Sequence, residues 1–299
     1  MVWVTALCAA PGWTSTPPNK AAGAAQAKAV PEDFVGAEKC DTCHGDVAKQ
    51  FTGNPHSKLT EEHGKADMTC ESCHGAGKAH SEGGGDKSKI FNAARVPAKE
   101  ADEKCLGCHR GRHIDFARSA HAEGKVSCVS CHSVHAGADK GHMLKAEQPA
   151  LCYRCHTDIK PQFGMPFHHK VEEGLMTCSD CHDPHGKFER RNLKNASQQD
   201  ALCTRCHGET AGPFVYEHPA VKTEGCGSCH FPHSGPNPRL LKRDNVNTLC
   251  LQCHSPSANS TAAEIPAFHS QKAQYQACTD CHTHIHGSNS SAIFLNSAE

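Results

Sequence analysis

The stretch Cys178-Ser179-Asp180-Cys181-His182-Asp183-Pro184-His185-Gly186 contains two cysteines separated by two residues, with a histidine directly after the second cysteine. This C-x-x-C-H arrangement is the attachment motif of c-type haem, in which both thiols bond covalently to the porphyrin and the histidine binds the iron. On a helical turn, residues i, i+3 and i+4 lie on one side, so a short helix presents both sulfurs and the imidazole to one haem. The stretch therefore predicts a covalent haem site.

The motif occurs ten times and uses twenty of the 21 cysteines, leaving only Cys8. The predicted attachment cysteines are Cys40, Cys43, Cys70, Cys73, Cys105, Cys108, Cys128, Cys131, Cys152, Cys155, Cys178, Cys181, Cys203, Cys206, Cys226, Cys229, Cys250, Cys253, Cys278 and Cys281. The predicted proximal iron ligands are His44, His74, His109, His132, His156, His182, His207, His230, His254 and His282. A disulfide framework or a zinc ribbon does not require a histidine after every second cysteine. We therefore predict ten covalently attached c-type haems.

The composition argues against an ordinary apolar core. Hydrophobic residues make up 37% of the chain and aromatic residues 5%. From Cys40 to His286 the chain has roughly 25 residues for each motif, too few to wrap each haem separately. We expect a multihaem cytochrome c fold, mostly irregular with short α-helices, in which the haems form the core of an elongated array of five two-haem repeats.

Charge and hydropathy exclude other classes. The formal net charge is -1, so the chain lacks the basic field that marks nucleic-acid binding. No stretch approaches the ~20 apolar residues that a membrane-spanning helix requires. We therefore expect neither a nucleic-acid partner nor a transmembrane helix.

The chain divides into a leader and a repeat domain. We interpret residues 1–33 as a truncated export signal and linker, because the apolar start is short and no Lys or Arg precedes Lys20. Cys8 suggests a lipid anchor as an alternative, although Leu7 occupies a position where a small residue is usual. Residues 34–299 form the predicted decahaem domain, with haem pairs at 40–80, 105–135, 152–185, 203–233 and 250–286. We call these units 1 to 5.

Two features lie between the motifs of successive units. Residues 81–100 form a longer insert around Gly83, Gly84 and Gly85, which predicts a surface loop. A leucine recurs before the next unit, as Leu144, Leu193 and Leu241, and we expect it to pack over a haem face.

Each unit holds two further histidines that recur at the same positions. One lies between the two motifs, and we call these the inner histidines: His56, His121, His169, His218 and His269. The other follows the second motif, and we call these the following histidines: His80, His135, His185, His233 and His286. We predict these ten as the second axial ligands, with His63, His113, His142, His168 and His284 as competitors. A following histidine starts on the same side of its own haem as the proximal one, so we expect it to bind a neighbouring haem.

The sequence resembles the periplasmic decahaem cytochromes of outer-membrane porin–cytochrome conduits, the MtrA and DmsE type. The resemblance covers about residues 34–295 and rests on the ten motifs, the opening segment 36–44, the Asn54-Pro55-His56 element, and the runs 71–80 and 169–186. It implies a haem wire with two histidines on every iron, located in the periplasm and lodged partly inside an outer-membrane β-barrel porin. It also implies a periplasmic or inner-membrane cytochrome as donor, and an extracellular cytochrome or terminal reductase as acceptor.

Three functions compete at this point. The first is an electron carrier between periplasmic donors and an outer-membrane or extracellular acceptor. The second is a multihaem reductase, which needs an open iron position, whereas this sequence offers enough histidines to close all ten. The third is a subunit of an extracellular cytochrome filament. The paired repeat favours the electron carrier, and we expect no catalytic residues.

Overall fold

The computed structural model describes residues 31–62, 69–139, 141–186, 190–194, 199–254 and 277–296. Within these ranges the α-helices are α1 Ala37–Phe51, α2 Pro55–Glu62, α3 Cys70–His74, α4 Lys78–Glu82, α5 Ala98–His109, α6 Ala120–Glu123, α7 Cys128–Cys131, α8 Ala150–Tyr153, α9 Cys178–Cys181, α10 Gln199–Cys203, α11 Pro219–Thr223 and α12 Val246–Cys250. Most are one or two turns long, and 3₁₀ turns and irregular segments connect them. The prediction of a mostly irregular chain with short helices is confirmed.

Four two-residue strands complete the described secondary structure: β1 Phe167–His168, β2 Tyr216–Glu217, β3 Ser234–Gly235 and β4 Gly287–Ser288. Strand β1 pairs antiparallel with β3, so that Phe167 faces Gly235. Strand β2 pairs antiparallel with β4, so that Tyr216 faces Ser288. Each pairing joins a segment beside an inner histidine to one beside the following histidine of the next unit. The strands thus connect successive units.

Several haem motifs start on short capped turns, among them those at Cys70, Cys128 and Cys178. In α9 the Thr177 backbone N–H donates to Asp180 Oδ2 at 2.7 Å, and the His182 N–H donates to the Cys178 carbonyl at 2.9 Å. A residue before the helix and one in its first turn satisfy each other's N–H groups in this way, which fixes where the turn begins. The turn contains Cys178 and Cys181, and His182 follows directly as its C-cap residue.

Polar side chains clamp the two motifs of a unit together. In unit 2, Asp102 Oδ1 accepts from the Cys128 N–H at 2.8 Å, and in unit 5 Asn247 Oδ1 accepts from the Cys278 N–H at 2.7 Å. In unit 3, Gln148 both accepts from the Ser179 N–H and donates to the Ser179 hydroxyl. Each clamp satisfies a helix N-terminal donor that has no partner within the helix itself.

The polypeptide supplies little apolar core of its own. Among the described residues, the buried hydrophobic side chains are Ala101, Phe116, Phe163 and Val171, and no large side chain is fully buried. Large hydrophobic residues such as Leu175 and Val215 remain 78% and 70% exposed. The described helices include none with the length and apolar character needed to cross a bilayer.

A buried carboxylate, that of Glu71, connects two segments of the chain at unit 1 through hydrogen bonds. Glu71 is 4% exposed, and its oxygens accept from the backbone N–H groups of Val35, Gly36 and Gly77 at 3.0, 2.9 and 2.7 Å. Burial alone disfavours the charged form, but the three N–H donors outweigh it and lower the pKa of Glu71 below its ordinary value. The carboxylate thereby ties the start of the repeat domain to the second motif.

Replacing Glu71 with Gln should destabilise unit 1 by about 1–3 kcal/mol, because the amide nitrogen then faces buried N–H donors. Because the folded-state pKa is depressed, the stabilisation from Glu71 is present above its ordinary pKa and is lost as pH falls through the folded value. Guanidinium unfolding at several pH values measures both effects. Glu82→Gln, an exposed substitution with the same charge change, is the control, and equal losses in the two variants would contradict the clamp.

Candidate haem sites

The histidines that complete the motifs lie opposite second histidines at a spacing that suits an iron. The ring centres of His132 and His185 are 6.0 Å apart, and their planes are 16° from parallel. Metal–imidazole bonds are about 2.0–2.1 Å long, so two imidazoles on opposite sides of one metal have ring centres about 6 Å apart. The donor set and its spacing therefore fit a haem iron between the two rings.

Nine motif histidines have such a neighbour, with ring centres 5.7–6.3 Å apart. The pairs are His44 with His80, His74 with His135, His109 with His56, His132 with His185, His156 with His121, His182 with His233, His207 with His169, His230 with His286 and His254 with His218. In these nine pairs every second member is an inner or a following histidine. His109 has a further neighbour at the same spacing, the competitor His113, at 6.1 Å. His269, predicted for the remaining position beside His282, lies outside the described residues.

The pairs follow one rule at the four junctions between units. An inner histidine lies against the first-motif histidine of the next unit, as His121 lies against His156. A following histidine lies against the second-motif histidine of the preceding unit, as His185 lies against His132. Neighbouring units therefore exchange histidines in both directions. His80 has no preceding unit and lies against His44 of its own unit.

The competing histidines are placed differently. Both ring nitrogens of His168 are engaged, with the Met165 carbonyl at 2.6 Å and with Glu173 at 3.0 Å. His142 is 80% exposed in its side chain, and its Nδ1 lies 2.9 Å from Asp139 Oδ2.

Two further competitors lie beside proposed ligands or in a turn, and one is not described. The His113 ring centre is 4.1 Å from that of His185, whose other neighbour is His132. His284 lies in a turn, where its N–H donates to the Phe294 carbonyl. His63 lies outside the described residues.

Backbone carbonyls orient the proximal histidine of every second motif. The Nδ1 atoms of His74, His132, His182, His230 and His282 lie 2.6–2.9 Å from the carbonyl oxygens of Phe91, His142, Arg191, Arg239 and Ile293. A metal-binding histidine that donates its other N–H in this way has a fixed tautomer and a more basic coordinating nitrogen. These contacts leave Nε2 available for iron.

The carbonyls sit in loops with a recurring backbone conformation. Met143, Arg191, Arg239 and Phe294 have φ between 55° and 64°, in the left-handed region that non-glycine residues seldom adopt. Such a conformation costs of order 1–3 kcal/mol, and it reverses the chain so that the carbonyl returns to the histidine. The sequence analysis did not predict that these loops support the proximal histidines. The leucine that recurs in them was the sequence feature that marked their position. Leu193, for example, forms a β-bridge with His182.

The insert in unit 1 supplies two carbonyls of the same kind. Residues 82–89 are exposed, as expected for a surface loop. The Asp86 carbonyl lies 2.9 Å from His80 Nδ1, and the Phe91 carbonyl lies 2.8 Å from His74 Nδ1. The insert is therefore also a support for both pairs that belong to this unit.

Four of the five following histidines are held in their neutral form by burial. Burial is the main cause that lowers the pKa of His135, His185, His233 and His286, and it brings that of His185 to about 4. Burial and the neighbouring His109 likewise lower the pKa of His56. Only neutral imidazole binds a metal, so these rings are in the coordinating form at neutral pH.

The attachment cysteines lie next to one another along the chain of units. The first cysteines of the two motifs lie close enough to interact electrostatically in units 1, 2, 3 and 5: Cys40 with Cys70, Cys105 with Cys128, Cys152 with Cys178 and Cys250 with Cys278. Across the first junction, burial and then the thiols of Cys105 and Cys108 raise the pKa of Cys73. Haems attached at these positions are near neighbours. Bound haem supplies an iron centre that gains and loses one electron.

Comparisons with known proteins identify similar multihaem cytochromes. The family model for the doubled CXXCH motif matches residues 119–161, 168–212 and 218–259, and the model for cytochrome c554 and c-prime matches residues 7–75. The chain is 30% identical to the multihaem cytochrome MtrA of Shewanella baltica, over 85% of this chain and 79% of that protein.

Two longer cytochromes are also similar. The chain is 25% identical to the high-molecular-weight cytochrome c of Nitratidesulfovibrio vulgaris, over 81% of this chain and 44% of that protein. It is 22% identical to the polyhaem cytochrome OmcB of Geobacter sulfurreducens, over 84% of this chain and 36% of that protein. The chain thus spans less than half the length of these two relatives.

Gln162 offers a test of how the second histidines are supported. Its Oε1 lies 3.1 Å from His233 Nδ1, so Gln162→Leu removes an acceptor and should make His233 a poorer ligand for ferric iron. We expect the midpoint potential of one haem to rise by up to about 60 mV, equivalent to tenfold. Gln162→Glu keeps an oxygen acceptor and should not raise it. Redox titrations followed by absorbance compare the variants, and an equal rise in both would refute the role of Gln162.

Proposed function

The chain belongs to the multihaem c-type cytochromes of the MtrA type, and on that basis we propose that it moves electrons between periplasmic donors and an outer-membrane or extracellular acceptor through a porin–cytochrome complex. The observation that carries the proposal is the exchange of histidines at all four junctions. Because every unit contributes to its neighbour's sites, haems bound there follow one another from unit 1 to unit 5. A continuous row of one-electron centres is what a conduit requires.

The proposed ligand set contains two histidines for each of ten irons. The nine described pairs supply nine sites, and His269 is assigned to the site of His282 by elimination. Each haem is attached through the two cysteines of its motif. In this arrangement every iron is six-coordinate, which favours electron transfer over catalysis at the metal.

The proposed surroundings follow from the family. A polar chain with little apolar core needs a closed protein wall if it is to enter the hydrocarbon region, and a porin barrel provides one. We therefore propose an outer-membrane β-barrel porin as the partner, with a periplasmic or inner-membrane cytochrome as donor and an extracellular cytochrome or terminal reductase as acceptor. The location proposed is the periplasm, in association with the outer membrane.

Intact mass of the mature protein tests the cofactor count. We expect ten covalent haems, because ten complete motifs are present. Cys178→Ala with Cys181→Ala should reduce the count by one, since each motif holds its own haem. A wild-type mass with eight haems or fewer would show that some motifs are not loaded.

The oxidised absorption and EPR spectra test the ligand set. If every iron has two imidazoles, the ferric protein should be entirely low-spin, and voltammetry should show reversible waves without catalytic current on nitrite or sulfite. High-spin signal in the wild type together with catalytic current would favour the reductase. Sedimentation that showed polymers of the purified chain would favour the filament subunit.

His185→Ala tests the exchange between units. We expect one haem, attached at Cys128 and Cys131, to become high-spin, and protease sensitivity to rise between units 2 and 3. His142→Ala is the matched control, because that ring is exposed and bonded to Asp139. Combining His185→Ala with loss of the haem at Cys178 and Cys181 should leave the high-spin signal in place. If the high-spin signal disappeared in the combined variant, His185 would be a ligand of the haem at Cys178 and Cys181, and the proposed exchange would be wrong.

A further inference from the structure

Two of the four junctions share a hydrogen bond that holds the inner histidine, and a third places the equivalent backbone beside it. His121 Nδ1 lies 2.8 Å from the Pro184 carbonyl, and His169 Nδ1 lies 2.6 Å from the Pro232 carbonyl. At the fourth junction the Ile285 backbone lies beside His218 and counters part of the lowering of the His218 pKa by burial. In each case this backbone belongs to the residue directly before the following histidine of the next unit. The inner histidine is thus held by the backbone segment that carries the following histidine of the next unit.

The first junction breaks this rule. The equivalent carbonyl is that of Val134, directly before His135, and it accepts from Asn54 Nδ2 at 2.6 Å. The Asn54 amide is held in place from its other side, since Oδ1 accepts from the N–H groups of His56 and Ser57 at 2.8 and 3.1 Å. His56 Nδ1 is buried and has no hydrogen-bond partner among the described residues. Asn54 thus occupies the acceptor that an inner histidine uses elsewhere.

His109, the ring opposite His56, also lacks a described hydrogen-bond acceptor at Nδ1. His109 Nε2 faces His56 Nε2 at 3.5 Å. Seven of the other eight described pairs have a ring whose Nδ1 is bonded to a backbone carbonyl, and in the eighth the Ile285 backbone lies beside His218. The planes of His56 and His109 also cross at 83°, whereas those of His74 and His135 are 11° apart.

A histidine without this outer support is a weaker ligand, because the acceptor both orients the ring and raises the basicity of its coordinating nitrogen. Loss of such a partner typically weakens metal binding about 10- to 100-fold. A buried Nδ1–H with no acceptor adds a cost while the ring stays in place, and that cost is relieved when the ring swings out. His135 and His286 share the first effect, since no hydrogen bond to their own Nδ1 is described. The buried Nδ1 without a partner distinguishes His56 among the described second ligands and favours its release.

We propose that the haem attached at Cys105 and Cys108 is the ligand-exchange centre of the chain, where His56 gives way to a small diatomic ligand of ferrous haem, of the carbon monoxide and nitric oxide class. The inference rests on the proposed pairs of histidines. In the exchange His56 leaves as neutral imidazole with its electron pair, and the incoming ligand donates its own pair to the same position. The iron keeps its oxidation state, and no proton or electron is transferred.

Carbon monoxide titration of the fully reduced ten-haem protein is the test. We expect the wild type to bind one carbon monoxide per chain. His56→Ala should still bind one, with higher affinity, because the same position is already open. His121→Ala, which opens the anchored site of His156, should bind two. No binding to the wild type, or an increase from one to two in His56→Ala, would overturn the proposal.

Asn54→Ser gives a second test that does not remove a ligand. Serine can still cap the helix but releases the Val134 carbonyl, so His56 should gain the bond that His121 and His169 make. We expect carbon monoxide affinity to fall about 10- to 100-fold. Asn245→Ser is the control, because Asn245 also caps a helix but its cap contacts are with Asn247 and Thr248. Unchanged affinity in Asn54→Ser would overturn the role of Asn54.

The two proposals fail in different ways. High-spin signal in the oxidised wild type would refute the complete set of histidine pairs, whatever the reduced protein binds. An oxidised protein that is fully low-spin, combined with a reduced protein that binds no carbon monoxide, would leave the ligand set intact and refute only the exchange centre.

Discussion

The proposed bond between an iron of one unit and a histidine of the next is the interaction on which the rest of the structure depends. With roughly 25 residues per haem, a unit is too small to surround two cofactors with its own side chains. The described residues bury only four hydrophobic side chains. In the proposed ligand set, each junction therefore joins two units by two such bonds that run in opposite directions. Separation of two units then requires both bonds to break. The proposed metal sites therefore provide the stabilisation that an apolar core provides in other domains.

The sequence identifies most of the chemistry but not its pairing. Motif spacing marks each attachment cysteine and proximal histidine, because their geometry is local to one helical turn. Recurrence marks the inner and following histidines. Which ring lies opposite which depends on contacts far apart in the chain, such as that between His132 and His185. Composition and spacing carry no direct record of such contacts, and the reasoning from sequence went only as far as a neighbouring haem.

The carbonyls that support the histidines cannot be predicted from the sequence. Every residue has a carbonyl, and only the fold determines which one lies next to a histidine. The left-handed residues after the second motifs illustrate this. Arg191 and Arg239 are not residues that a pattern assigns to positive φ, yet both adopt it where the chain returns to a histidine. Leucines at these joints predicted packing over a haem, and the β-bridges of Leu193 and Leu241 add a backbone role. The leucine pattern thus identified the segment that returns to the histidine, but it did not reveal that the backbone of this segment supports the histidine.

The ends of the row follow from the same rule of exchange. A repeat protein needs terminal units that satisfy the surface an absent neighbour leaves open. In unit 1 the following histidine, His80, has no preceding haem, and it turns back to His44. The insert of this unit makes that return feasible, because Asp86 and Phe91 supply the carbonyls for both of its histidine supports. The longest departure from the repeat therefore lies where the exchange has no partner, and inner units, which complete one another, need no such insert.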